Sequence, residues 1–115
     1  MHNICHIEFE CTDLVRSQGF FQSIFDWTFR AFTEGMVVFG SGENHIGGLT
    51  KVAQVSPGKS PSVWFDVEDI DATLEKAKKA GSKVVSEKSE VPTVGFSATF
   101  TDLDGNQVGV VQFVR

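Results

Sequence analysis

The sequence of 115 residues has no tyrosine, only two cysteines and only three prolines. Without tyrosine, no phenol side chain is available as the general acid of a reaction. Cys5 and Cys11 lie in one predicted strand, about 20 Å apart, whereas the Cα atoms of a disulfide lie about 4.4–6.8 Å apart. We therefore expect two free thiols and no disulfide framework.

Positive charge and long hydrophobic runs are also scarce. The 10 basic residues are outnumbered by 15 acidic ones, and the longest basic run is the pair Lys78 and Lys79. A nucleic-acid-binding domain usually carries a basic patch, so no nucleic-acid partner is expected. No apolar run approaches the roughly 18 residues of a membrane span, and the N-terminus lacks the pattern of a signal peptide. We therefore expect a cytoplasmic protein with no membrane partner.

Short stretches recur in the same order in the two halves of the chain. Residues 9–14 match residues 65–70, and residues 44–47 match residues 106–109. Each half has an alternating strand, a segment of helical spacing and three further strands bounded by glycine. The pattern predicts an α+β fold with two β-α-β-β-β modules in a single domain, 1–115. Module one covers about 1–54, a linker about 55–61 and module two about 62–115.

Helix boundaries are suggested by residues with known capping preferences. Asp13 and Asp69 are predicted N-caps of the two helices. The first helix is expected to run to about Phe25 and to bury that ring. The second helix is expected to end at Gly81, in the left-handed conformation that glycine adopts easily.

The first predicted strand carries polar side chains on one face. His6, Glu8 and Glu10 share that face because successive strand residues point to opposite sides. Carboxylates beside an imidazole suit general acid–base chemistry, so these three are candidate catalytic residues. The alternative is that the carboxylates only hydrogen-bond to loops or line a water-filled groove. The corresponding face of the first strand of module two carries Ser62, Trp64 and Asp66.

The doubled module resembles the vicinal oxygen chelate superfamily of glyoxalase I, extradiol dioxygenases, and bleomycin and fosfomycin resistance proteins. The resemblance rests on His6 seven residues before Asp13, on the run FDVEDID at 65–71 and on the run TDLDGNQVG at 101–109. It is greatest for the short glyoxalase-related members. It implies a U-shaped mixed sheet around a cavity, and a homodimer. One departure is Asp26, where relatives usually carry the glycine that ends the first helix.

Metal-dependent members of that superfamily use one ligand on the first and one on the last strand of each module. The resemblance places these positions at His6, Gly47, Ser62 and Gly109. Only His6 can supply a ligand for a transition metal, whereas a stable site needs three or four. The resemblance therefore implies that the usual divalent metal is absent as a cofactor.

A displaced divalent-metal site is the alternative. His6 and Glu8 would form its centre, with His45 or Asp66 completing the ligand set. Side chains two residues apart on a strand are about 6.6–7 Å from each other, which is long for ligands of one ion unless they converge.

Three functions are compatible with these features. The first is a metal-independent member that binds a small, partly aromatic molecule in the cavity, as bleomycin resistance proteins do. The second is a lyase, isomerase or dioxygenase of glyoxalase type that uses the displaced metal site. The third is a dimeric interaction or regulatory protein without small-molecule chemistry. The candidate ligand-binding residues are Trp64, Asp66, Gly47, Ser62, Gly109, Phe100 and Phe113.

Overall fold

A computed structural model describes residues 2–56 and 58–114. Each half of the chain contains a strand, a helix and three further strands, so the predicted α+β class and the doubled β-α-β-β-β plan are confirmed. The first half comprises β1 (Ile4–Cys11), α1 (Leu14–Gln22), β2 (Thr28–Thr33), β3 (Met36–Ser41) and β4 (Asn44–Lys51). The second half comprises β5 (Ser62–Asp66), α2 (Ile70–Lys79), β6 (Val84–Val91), β7 (Gly95–Thr101) and β8 (Gln107–Phe113).

The chain forms two compact units, each with four paired strands. Residues 6–62 form the first unit, and residues 63–114 form the second together with residues 2–5. The strand order is β2-β3-β4-β1 in the first unit and β6-β7-β8-β5 in the second. In each unit the first strand runs parallel to the last, β1 to β4 and β5 to β8, and the other pairs are antiparallel. The single-domain assignment and its linker stay predictions.

The first helix is shorter than the sequence predicts. It ends at Gln22, because Ser23 closes the last turn by donating its hydroxyl hydrogen to the carbonyl oxygen of Phe20 at 2.6 Å. Phe25 was expected in the buried stripe of this helix, but it lies beyond the helix and is 45% exposed. Its ring stacks on Trp27, with 4.5 Å between the ring centroids.

The two helices end in different ways. Gly81 has a φ of 101°, so the predicted left-handed residue after α2 is confirmed. Ser23 ends α1 with a φ of −74°, which any residue adopts. Because α1 ends without a left-handed residue, Asp26, at a position where relatives usually carry glycine, causes no strain at the end of the helix.

Both predicted N-caps are confirmed. The carboxylate of Asp13 accepts from the backbone N–H of Arg16 at 3.1 Å, and that of Asp69 accepts from Ala72 at 3.2 Å. These bonds satisfy backbone donors that the first helical turn leaves without an intrahelical partner.

Replacing Asp69 with alanine is expected to lower the free energy of unfolding by about 1 kcal/mol, since the cap of α2 is lost. Urea denaturation followed by circular dichroism measures the change. Glu68→Ala is the matched control, because the preceding residue is exposed and does not cap the helix. Equal losses for the two variants would contradict a capping role.

Each unit has its own hydrophobic core. The core of the first unit contains Cys11, Phe39 and Leu49, surrounded by further aromatic rings of β1, α1 and β2. The second unit buries Ile70 and Leu74 of α2 against β7 and β8, as the helical spacing predicts. Cys5 and Cys11 are free thiols, as expected.

Candidate functional site

The polar face of β1 brings together three side chains of the first unit. His6 Nε2 lies 3.1 Å from Oε1 of Glu8, and His6 Nδ1 lies 2.8 Å from Nε2 of His45. The two imidazole rings are nearly parallel, with an interplanar angle of 12° and 5.1 Å between centroids. Glu8, His6 and His45 therefore form a continuous hydrogen-bonded chain, which we call the Glu8–His6–His45 chain.

An irregularity in β4 positions His45 beside His6. Phe39 of β3 pairs with Gly47, whereas the next residue, Gly40, pairs with His45. Ile46 is therefore the extra residue of a β-bulge, and it packs against the core of the first unit. The bulge shifts the alternation of side chains along β4. Strict alternation alone therefore does not predict which glycine of β4 faces the His6 ring.

The last-strand positions implied by the resemblance have no space for a metal ligand. A Cβ atom at Gly47 would overlap the carbonyl oxygen of Ile7, and a Cβ atom at Gly109 would overlap the indole ring of Trp64. The next residue along β4, Gly48, faces the imidazole instead, because its Cβ would lie 3.3 Å from Cε1 of His6.

The residues at the four positions implied by the resemblance do not fit a divalent metal site. Of the four implied positions only His6 carries a ligand, and hydrogen bonds engage both of its ring nitrogens. In the described part of the chain, no group of three His, Cys, Asp or Glu residues is arranged to hold a metal ion. Glu8, His6 and His45 are joined in series rather than directed at one point.

The hydrogen-bonded chain determines the tautomers of its members. An ionised Glu8 can only accept, so Nε2 of His6 donates to it and Nδ1 of a neutral His6 accepts from Nε2 of His45. The Nδ1 of a neutral His45 is then a hydrogen-bond acceptor. Burial lowers the pKa of His45, followed by the charge that His6 carries when protonated and by the charge of Arg30, and the lowered pKa favours a neutral His45.

The lowered pKa of His45 predicts a pH-dependent stability. The contribution of neutral His45 is fully present above its unfolded pKa of about 6.5, and it is lost as the pH falls through the lower folded value, because the unfolded chain binds the proton more readily. His45→Gln is therefore expected to lose less melting temperature than the wild type between about pH 7.5 and 5.5. His2→Gln, at an exposed position, should keep the wild-type slope. Parallel slopes for His45→Gln and the wild type would contradict the prediction.

Two other predicted site carboxylates hold backbone segments. Glu10 accepts from the N–H of Ser56 at 2.8 Å, and the N–H of Glu10 donates to the hydroxyl of Ser60 at 2.9 Å. Asp66 accepts from the N–H of Asn3 at 2.7 Å. The bond from Ser56 to Glu10 is a loop contact of the kind that the sequence left open as the alternative to acid–base work, whereas Asp66 was a candidate ligand contact.

The other candidates of the second unit have varied surroundings. Ser62 and Trp64 are half-buried on β5, and the indole lies against Gly109. Phe100 packs against the core of this unit, whereas Phe113 is exposed at the end of β8. Phe100 therefore has less ring surface available to a ligand than Phe113 has.

A cavity of about 320 Å³ lies in the first unit, beside His45. It is lined by residues of β2, β3 and β4, among them the polar side chains of Thr28, Arg30, Asn44 and His45. Sequence reasoning missed Thr28 and Arg30. The signal that would have found them is the polar side chains at every second position of β2, a pattern typical of one strand face.

Comparison with known proteins assigns the family. The model of the family described as "Glyoxalase/Bleomycin resistance protein/Dioxygenase superfamily" matches residues 3–110. The chain belongs to this superfamily. CFP32 of Mycobacterium bovis, provisionally named a glyoxylase, is 34% identical over 68 residues, which cover 59% of this chain and 26% of that protein. The chain thus spans about a quarter of this curated relative's length.

Solved structures of the superfamily share the fold. A glyoxalase/bleomycin resistance protein/dioxygenase superfamily member from Vibrio splendidus superposes with a TM-score of 0.72 at 16% identity, covering 97% of this chain and 99% of that one. Homoprotocatechuate 2,3-dioxygenase from Brevibacterium fuscum, in complex with 3,4-dihydroxyphenylacetate, gives 0.77 at 20% identity, covering 98% and 37%. Within the described residues of this superfamily member, no helix is both long and apolar enough to cross a membrane.

Proposed function

We propose that this superfamily member binds a small, partly aromatic organic molecule without using a divalent metal. The proposed binding surface in the first unit is the cavity beside His45, with the Glu8–His6–His45 chain as its polar support. The candidates of the second unit, Trp64 foremost, remain proposed ligand contacts.

The observation that carries the proposal is that His6 is held by two hydrogen bonds next to a cavity. Both of its ring nitrogens are engaged at 2.8 and 3.1 Å, so binding a metal would require breaking one of these bonds. The cavity of about 320 Å³ lies at the lower end of the range for small-molecule sites. It combines the apolar side chain of Val38 with the polar groups of Thr28, Arg30 and His45, which could orient an organic ligand.

Isothermal titration calorimetry with 3,4-dihydroxyphenylacetate tests the proposal, because the structurally similar dioxygenase binds this compound. We expect binding that is unchanged in excess EDTA. Thr28→Trp should abolish it by filling the cavity, whereas Thr33→Trp, on the same strand but outside the cavity lining, should bind like the wild type. Absence of binding, or binding that EDTA removes, would refute the metal-independent function.

The metal-dependent function is the second candidate, because Glu8, His6 and His45 do meet, and the similar dioxygenase structures belong to enzymes. Elemental analysis of untagged protein distinguishes the two functions. Near-stoichiometric metal that disappears in His6→Ala would favour the displaced site. Under the metal-independent proposal, nickel, zinc, iron and manganese leave the melting temperature of the protein unchanged.

The homodimer, the cytoplasmic location and the absence of a nucleic-acid partner are also proposals. Four apolar side chains on or just after α1 are exposed, and a second copy of the chain would cover them under the dimer proposal. They are Val15, Phe20, Ile24 and Phe25. Analytical ultracentrifugation measures the oligomeric state, and a monomer at all concentrations would contradict the dimer.

A further inference from the structure

We propose that the cavity of the first unit recognises a small monocarboxylate that also carries a hydroxyl group. In this arrangement the guanidinium of Arg30 binds the carboxylate, and Nδ1 of His45 accepts a hydrogen bond from the hydroxyl. The inference rests on the proposed function and specifies the chemical class of its ligand.

The charge of Arg30 has no acidic partner in the described structure. Arg30 lies on β2, an outer strand of the first unit, and lines the cavity. Among residues 2–56 and 58–114, its side chain makes neither a hydrogen bond nor an ion pair. A guanidinium presents a planar set of donors that matches a carboxylate. Arg30 is therefore available to bind an anionic group of a ligand.

The carboxylate of Glu43 restricts the ligand to one negative charge. Glu43 also lines the cavity and forms no ion pair in the described structure. Its carboxylate would repel a second acidic group of the ligand. Arg30 and Glu43 together therefore favour a monocarboxylate over a dicarboxylate or a phosphate dianion.

With a neutral His6, the hydrogen-bonded chain makes His45 an acceptor rather than a donor toward the cavity. In this state His6 donates to Glu8 and accepts from His45, so the nitrogen of His45 that is not bonded to His6 carries a lone pair. A ligand group that donates a hydrogen bond, such as a hydroxyl, complements this nitrogen. A second carboxylate on the ligand would not complement this nitrogen, because an ionised carboxylate has no hydrogen to donate.

The apolar part of the cavity selects a compact carbon frame between the two polar groups. Val38 pairs with Arg30 and shares its face of the sheet, so the side chain of Val38 adds an apolar surface to the cavity beside Arg30 and His45. The cavity volume of about 320 Å³ suits a single ring better than a large molecule. Hydroxybenzoates combine a ring, one carboxylate and one hydroxyl, so they are suitable probes.

Calorimetric titration of the full chain with benzoate, phenol and the three hydroxybenzoate isomers tests the inference. We expect the best hydroxybenzoate to bind about tenfold more tightly than benzoate or phenol, since one additional hydrogen bond to a charged or buried partner has about this effect. Arg30→Gln should weaken hydroxybenzoate binding about tenfold and leave phenol binding unchanged. Arg16→Gln, on α1 and outside the cavity lining, is the matched control.

His45→Phe tests the second contact. It removes the acceptor but keeps a ring, so hydroxybenzoate should then bind no more tightly than benzoate. Thermal unfolding of each variant checks that the fold is retained.

The outcomes separate the inference from the proposed function. Equal affinities for all probes would overturn the inference and leave metal-independent binding intact. Arg30→Gln that weakens phenol as much as hydroxybenzoate would overturn the assigned role of Arg30. Binding of none of the probes, together with no binding of 3,4-dihydroxyphenylacetate, would overturn both.

Discussion

Replacing Gly47 with alanine is expected to lower the free energy of unfolding by about 3 kcal/mol or more, among the largest effects of any single substitution in the chain. The added Cβ would overlap the backbone oxygen of Ile7, the residue that pairs with Gly47 between β1 and β4. A backbone atom cannot move aside by changing a rotamer, so the pairing of the two strands itself must change. Urea denaturation followed by circular dichroism measures the loss.

Gly19→Ala is the matched control for that experiment. Gly19 lies within α1, and a Cβ there would contact nothing within 4 Å. Alanine is a better helix former than glycine, so this variant should be more stable by about 0.5–1 kcal/mol. A Gly47→Ala variant with the wild-type denaturation midpoint would contradict the crowding at this position.

The close contacts at Gly47 and Gly109 also affect any attempt to engineer a metal site at these positions. A glutamate at Gly47 or Gly109 would restore a ligand type at positions implied by the resemblance, but its Cβ would overlap Ile7 or Trp64. Restored ligands are therefore expected to cost folding stability before they could bind metal. At those positions the chain therefore differs from the ligand pattern of the resemblance in its backbone and packing as well as in its side chains.

Replacing Phe39 with alanine is the other substitution with a large expected effect, a loss of about 3–5 kcal/mol. Phe39 is only 2% exposed, and its ring contacts the rings of Phe21, Trp27 and Phe29. Removing it leaves a void that the rigid rings around it cannot fill.

Phe20→Ala is the control for this substitution, since Phe20 is 60% exposed and its ring contacts Phe21. We expect a change within about 1 kcal/mol. Both variants are measured by urea denaturation at one protein concentration. Similar losses for Phe39→Ala and Phe20→Ala would contradict the central place of Phe39 in the core.

Local sequence signals predicted most of the architecture. Asp13 and Asp69 cap the helices and Gly81 ends α2, because capping depends on a residue and its near neighbours along the chain. The order of elements followed from the repeat and from the two periodicities of helices and strands. The superfamily was also recognisable from short motifs whose spacing the sequence retains.

Element lengths were predicted less well. The end of α1 at Gln22 depends on the Ser23 hydroxyl, which competes with continued helix formation. Strand β6 continues to Val91 because it pairs with β7. Strand length depends on a partner strand that is distant in sequence.

The sequence by itself determined which polar side chains share a face of β1, since strict alternation places His6 and Glu8 together. Only the tertiary structure decided which partners these side chains contact. A bulge in β4 brings His45 to His6, the backbone of β1 excludes a side chain at Gly47, and the indole of Trp64 covers Gly109. Each of these outcomes depends on the register and close approach of segments far apart in the chain. Periodicity within one segment contains no information about such contacts.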